Sequence, residues 1–156
     1  AVSLRDPALA AVIGALLRCA AGGDRLLRYR DSAGWHDVTA AEINDVFKEM
    51  VGAEFTVKDL RTWNATVLAA TALAAAPRAT SKTASSRAVA AAMREVAEGL
   101  GNTPAVARDS YVDPRVIHCY EHGVTIASAL SRSDGRPEAA RAAIEKATVA
   151  MLKDVR

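Results

Sequence analysis

The sequence predicts a mainly α-helical fold, with at most a short β element near residues 26–38. Three observations predict it. Alanine fills 35 of the 156 positions, and alanine favours close-packed helices over sheet. Aromatic residues make up only 4% of the chain. Helix caps and apolar residues at helical spacing recur from Asp6 to Lys153, whereas strand-like patterning is confined to one segment.

The elements follow in order. Asp6 caps a first helix, Pro7 occupies the tolerated first turn, and Gly22-Gly23 ends it. Leu9, Val12, Ile13, Leu16 and Leu17 form its apolar face. Arg25 to Arg30, Asp31 to Gly34 and Trp35 to Val38 then read either as a short hairpin or as one extended segment with a turn at Ser32 to Gly34. Thr39-Ala-Ala-Glu42 is a capping box, and Ile43, Val46, Phe47 and Met50 predict the buried stripe of a second helix that Gly52 closes.

A third helix starts in Thr56 to Asp59 and runs through Leu60, Trp63, Val67, Leu68 and Leu73 to about Ala76, before Pro77. Arg78 to Ser86 is the most linker-like stretch, and a fourth helix is expected from about Ser85 to Leu100. A short helix follows Pro104. Asp113-Pro114 opens another that is expected to reach about Leu130. Ser131 to Arg136 reads as a turn, and Pro137 starts a last helix ending near Lys153. The sum is a single domain over residues 1–156 with about seven helices.

Composition excludes several functions. A hydrophobic fraction of 51% supports one core, and 24% charged residues exclude a disordered polyelectrolyte. No apolar run approaches the roughly 20 residues that span a bilayer, so no membrane partner is expected. Ala1 to Asp6 has no signal-peptide pattern. The chain begins without Met, hard against a helix, which predicts a piece of something longer. The net charge of +2 is too small to announce nucleic-acid binding by itself. Arginine outnumbers lysine 15 to 5, which suits phosphate recognition but also reflects a GC-rich coding sequence. Cys19 and Cys119 fall in predicted helices, outside any CxxC cluster, and read as free thiols.

Two segments look unlike helix filler. In Phe55 to Trp63, Lys58 and Arg61 lie three apart and share a face near a helix start, where backbone N–H groups also favour an anion. The plainer reading is a solvated basic pair answered by Asp59 and Glu54. In Leu100-Gly-Asn102-Thr-Pro104, a turn held by Gly and Pro presents the Asn102 amide, and Tyr111 follows nine residues later. On its own, Tyr111 reads as a core residue. His118 and His122 share a helix face with no third metal ligand in view, so no metal site is expected. Trp35 and Trp63 read as packing anchors. Arg108 is placed either on a phosphate or against Asp109 or Asp113.

Taken together, the two segments resemble the catalytic lobe of type IB DNA topoisomerases, the small bacterial and poxviral kind. Lys58-Asp-Leu-Arg61-Thr62-Trp63 is similar to that family's arginine segment. Leu100-Gly-Asn102-Thr-Pro104 is similar to its turn before the nucleophilic tyrosine, in the Asn form of the bacterial branch. Leu4-Arg-Asp-Pro7, Leu26-Leu-Arg-Tyr29 and Val38 to Asn44 extend the likeness over roughly residues 4 to 150. The resemblance implies catalytic roles for Tyr111, Arg61 and Asn102, and DNA contacts from Lys58, Thr62 and Arg108. It implies duplex DNA as partner, no ATP, no metal or other cofactor, a monomer and a bacterial nucleoid location. It also implies that an N-terminal DNA-clamping lobe, a second arginine and a general-acid lysine on a β-hairpin belong upstream, so that this chain alone relaxes DNA poorly or not at all. Two other readings stay open. Tyrosine recombinases share the mechanism and the turn-to-tyrosine spacing, but have histidines where Lys58, Thr62 and Asn102 stand. The third reading is a non-catalytic helical DNA-binding or interaction module.

Overall fold

A computed structural model describes residues 6–19, 25–131 and 137–155. The chain is mainly α, with one two-stranded sheet among the described residues. It divides into two compact units, residues 1–57 and 58–156. No helix among the described residues is long and apolar enough to cross a membrane.

The first unit holds α1 (Pro7–Arg18), β1 (Arg28–Asp31), β2 (Gly34–Asp37) and α2 (Ala40–Val51). Asp6 caps α1 as its sequence requires, its carboxylate accepting from the Leu9 N–H at 2.9 Å. The helix ends at Arg18, so Cys19 stands just past it rather than inside it. Gly22-Gly23 and Leu4-Arg5 lie outside the described residues. The segment that left two readings is a hairpin, with Tyr29 opposite His36 and Arg30 opposite Trp35. The Asp31 carboxylate shapes its turn by accepting from the Ala33 and Gly34 N–H groups, at 2.8 and 3.1 Å. The capping box of α2 is complete: Thr39 Oγ1 accepts from the Glu42 N–H, and Glu42 accepts from the Thr39 N–H at 2.7 Å.

The stripe expected to be buried on α2 is not. Val46 is 55% and Met50 78% exposed, Ile43 is also exposed, and neither helix of this unit buries a residue. Trp35 is likewise exposed and anchors no core. Helical periodicity places apolar side chains on one face, but burying them takes a second apolar layer.

The second unit carries α3 (Val57–Ala75, whose first residue closes the first unit), α4 (Lys82–Leu100), α5 (Pro104–Ser110), α6 (Pro114–Glu121), α7 (Ala127–Leu130) and α8 (Pro137–Asp154). Its core gathers Ala65, Ala69, Leu73, Val89, Met93, Val96, Val116, Ile126, Met151 and Leu152. The buried face of α3 is Ala65, Thr66, Ala69, Ala70 and Leu73, while Leu60 and Leu68 are exposed. Alanine is too weakly apolar to announce that stripe against two leucines. Trp63 does pack on the core. Leu73, only 2% exposed, is its largest fully buried side chain. Leu73→Ala is expected to cost about 2–5 kcal/mol, read as a lower urea midpoint with little change in slope.

Two boundaries differ from expectation. Helix α4 begins at Lys82 because Ser81 caps it, accepting from the Ala84 N–H at 3.2 Å, so most of the linker-like stretch is helix. The helix expected to run from Pro114 to Leu130 stops at Glu121. Gly123 has φ +77°, and the Gly123 and Val124 N–H groups bond back to the Tyr120 and Cys119 carbonyls at 2.9 and 2.8 Å, a Schellman cap. Residues 132–136 of the expected turn lie outside the described residues.

Candidate functional site

The site is built where α3, the α4–α5 turn and the α5–α6 junction meet inside the second unit. Gly101 takes a left-handed conformation, φ 67° and ψ 36°, which a Cβ would strain. Its N–H bonds to the Glu98 carbonyl at 3.3 Å and that of Asn102 to the Ala97 carbonyl at 2.9 Å. This second Schellman cap fixes the Asn102 backbone, and Thr103 then caps α5 by accepting from the Val106 N–H at 3.3 Å. Asn102 Nδ2 is enclosed and has no acceptor among the described residues. Leaving a buried donor unmet costs about 1–3 kcal/mol, which an incoming oxygen would recover.

Tyr111 follows the last turn of α5, and its N–H still bonds to the Ala107 carbonyl at 3.2 Å. Its ring is half-buried against the core, and its phenol oxygen has no partner among the described residues. Asp113 then starts α6. Its carboxylate accepts from the Arg115 N–H at 2.9 Å and from the Arg115 guanidinium at 2.7 Å, and the guanidinium also reaches the Leu152 carbonyl on α8 at 3.1 Å. Hydrogen bonds from the Arg115 side chain hold the Asp113 carboxyl below the usual carboxylate range.

A carboxyl lowered in the folded state contributes stability above its unfolded value and loses it as pH falls through the folded one. Wild type is therefore expected to lose more thermal stability than Asp113→Asn on acidification through and below the ordinary carboxylate range. Melting curves across that range check this, and parallel losses would count against it.

Arg61 joins these pieces. Its Nη2 donates to the Leu100 carbonyl at 2.6 Å, spanning 39 residues of sequence, at the C-terminal end of α4. Its guanidinium carbon also lies 5.1 Å from the centre of the Tyr111 ring. The arginine thus rests on the turn that carries Asn102 and over the tyrosine ring. Among the described residues of its unit it has no carboxylate partner. Four of its five N–H donors remain for a ligand.

Lys58 is exposed one turn before Arg61 on the same helix, and Thr62 is half-buried beside it. Arg108 is exposed on α5 and pairs with neither Asp109 nor Asp113, the latter being taken by Arg115. The His118 and His122 rings lie 4.1 Å apart, tilted by 39°, with His122 Nδ1 on the His118 carbonyl at 2.8 Å. No group of three metal-ligating side chains occurs among the described residues. Cys119 is buried, and burial pushes its thiol pKa up.

Sequence reasoning missed two parts of this site. One is the Leu100 carbonyl, a backbone group that no residue type signals. The other is Thr66, 3% exposed on the alanine face of α3, whose only sequence signal is a hydroxyl seven positions before Leu73 on the same face.

An exposed arginine fork, an enclosed amide donor and a phenol with a free oxygen can receive a phosphate diester and stabilise charge on its oxygens. Over residues 7–129 the chain matches the family described as eukaryotic DNA topoisomerase I, catalytic core, and it belongs to that family of DNA-acting isomerases. No curated protein matches it.

Proposed function

We propose that the chain is the tyrosine-bearing catalytic lobe of a compact type IB topoisomerase of the bacterial and poxviral kind, acting as a monomer on duplex DNA of the bacterial nucleoid. One observation carries the reading: Arg61 bridges the Leu100 carbonyl and the Tyr111 ring, bringing together the two motif segments. In the reaction, the Tyr111 phenol loses its proton and its oxygen bonds to the scissile phosphorus. The P–O5′ bond breaks, the 5′ oxygen takes up a proton, and a 3′-phosphotyrosyl link keeps the bond energy. Arg61 and the Asn102 amide donate to the non-bridging oxygens as charge builds there. Lys58, Thr62 and Arg108 hold neighbouring phosphates, Lys58 and Arg108 through charge and Thr62 through its hydroxyl. Rotation of the duplex about the uncut strand precedes attack by the 5′-hydroxyl, which reverses each step without ATP.

The family's second arginine and its hairpin lysine have no counterpart among these 156 residues. We therefore expect little or no relaxation of supercoiled plasmid by this chain alone, and rapid relaxation would overturn that assignment of roles. A duplex carrying sulfur at the scissile 5′ position supplies a thiolate leaving group, which departs without a general acid. On that substrate the chain is expected to form a slow covalent adduct on the 3′ side of the break. An adduct that maps to a residue other than Tyr111 would refute the catalytic reading of Tyr111.

A further inference from the structure

Among the threonines within helices of the second unit, Thr66, Thr71 and Thr148 use their hydroxyls in two different ways. Thr71 donates to the Val67 carbonyl at 2.8 Å and Thr148 to the Ile144 carbonyl at 2.9 Å. Both are the local bond, one turn back, that a helical threonine ordinarily makes. Thr66 does not make it. Its Oγ1 accepts from the Asp113 N–H at 3.1 Å and lies 3.4 Å from the Tyr111 carbonyl, to which it donates. These contacts span 47 and 45 residues of sequence.

The two backbone groups it holds lie on either side of Val112, itself buried. They belong to the short connection between α5, which ends at Ser110, and α6, which starts at Pro114. Tyr111 therefore lies in neither helix, and its position follows from what grips the connection. On the α5 side the grip is the Ala107 carbonyl, which accepts from both the Tyr111 and Val112 N–H groups, at 3.2 and 3.0 Å. On the other side it is Thr66. The same helix α3 carries Arg61, whose guanidinium covers the Tyr111 ring. One rigid element thus sets both the backbone and the ring of the tyrosine relative to the arginine.

We propose that Thr66 is a positioning residue for Tyr111: its hydroxyl clamps the Tyr111–Asp113 connection to α3 and so keeps the phenol in register with Arg61. The inference rests on Tyr111 being the reactive residue. A hydroxyl suits the task because one small group both accepts and donates. Valine fills the same volume and does neither, which would leave the half-buried Asp113 N–H without its acceptor.

The test compares wild type with Thr66→Val, Thr66→Ser and, should the valine variant not fold, Thr66→Ala. Amide hydrogen exchange is read at Asp113, with the Val96 amide in α4 as internal control. Proximity of the Arg61 side chain to the Tyr111 ring is read by nuclear Overhauser contacts. Thr66→Val is expected to speed exchange at Asp113 by more than about tenfold, with Val96 changed by less than about twofold, and to weaken the Arg61–Tyr111 contacts. Thr66→Ser is expected to restore both. Unchanged exchange at Asp113, or intact ring contacts, in the valine or alanine variant would overturn the clamp. Capture of the sulfur-containing duplex supplies the other arm: an adduct rate in Thr66→Val equal to wild type would mean that the clamp does not serve the reaction. The catalytic reading itself is judged separately, by Tyr111→Phe, whose outcome leaves the exchange result standing.

Discussion

Tyr111→Phe is expected to abolish covalent capture of duplex DNA while leaving the fold intact. The substitution removes one oxygen, the atom we propose as the nucleophile, so on that proposal no reduced rate through the same route remains. The other tyrosines offer no substitute. The Tyr120 hydroxyl donates to the Pro77 carbonyl at 3.3 Å and its side chain is buried. The Tyr29 hydroxyl donates to Glu42 at 3.1 Å, and that carboxylate raises the phenol's pKa, which keeps the nucleophilic form scarcer. The Tyr111 oxygen makes no hydrogen bond among the described residues, so its removal is expected to leave the melting temperature nearly unchanged. Capture of the sulfur-containing duplex by wild type and variant, followed by mass mapping of the adduct, measures this. An adduct that persists in the variant would remove Tyr111 from the mechanism and favour the non-catalytic module.

Arg61→Ala is expected to slow capture by about 100- to 1,000-fold, or about 3–4 kcal/mol of transition-state stabilisation. The arginine already spends one donor on the Leu100 carbonyl, which aims the rest of the fork while the aliphatic stem stays on α3. A donor fixed in advance needs no reorganisation when charge develops, which is why one group carries so large an effect. Arg61→Lys is expected to recover little, because a single ammonium cannot hold the Leu100 carbonyl and a phosphate oxygen in the same fixed geometry. Duplex affinity should fall far less than the rate if, as we propose, Lys58 and Arg108 meet the phosphates. Binding isotherms beside single-turnover capture separate the two. A loss confined to affinity would recast Arg61 as an anchor rather than a group acting on the transition state.

Much of the helical fold was legible because helix ends are local chemistry. Asp6, Thr39 with Glu42, Thr103 and Asp113 each satisfy N–H groups within three residues of themselves. Gly101 marks a left-handed cap just as directly. Gly123 makes the same cap, but its signal is weak within a segment whose apolar residues continue to Leu130. Ser81 was masked by the hydroxyl-rich stretch around it, where several residues offer the same cap. Burial was legible less well. Leucine and isoleucine carry the periodic signal, but Leu60, Leu68 and Ile43 are exposed while alanines form the buried face of α3.

For the site, the sequence by itself determined the cast: the Lys58–Trp63 segment, the Gly101–Asn102 turn, Tyr111, and the spacing that relates the last two. Those are short-range properties, fixed by residue type and by caps that act within a turn. Only the tertiary structure decided the contacts among them. It set Arg61 on the Leu100 carbonyl and over the Tyr111 ring, gave Asp113 to Arg115 rather than Arg108, and put the Thr66 hydroxyl on a backbone 47 residues away. The reason is physical: a backbone carbonyl has the same chemistry at every residue, and a threonine hydroxyl bonds whichever group the packing of α3 against its neighbours brings within reach.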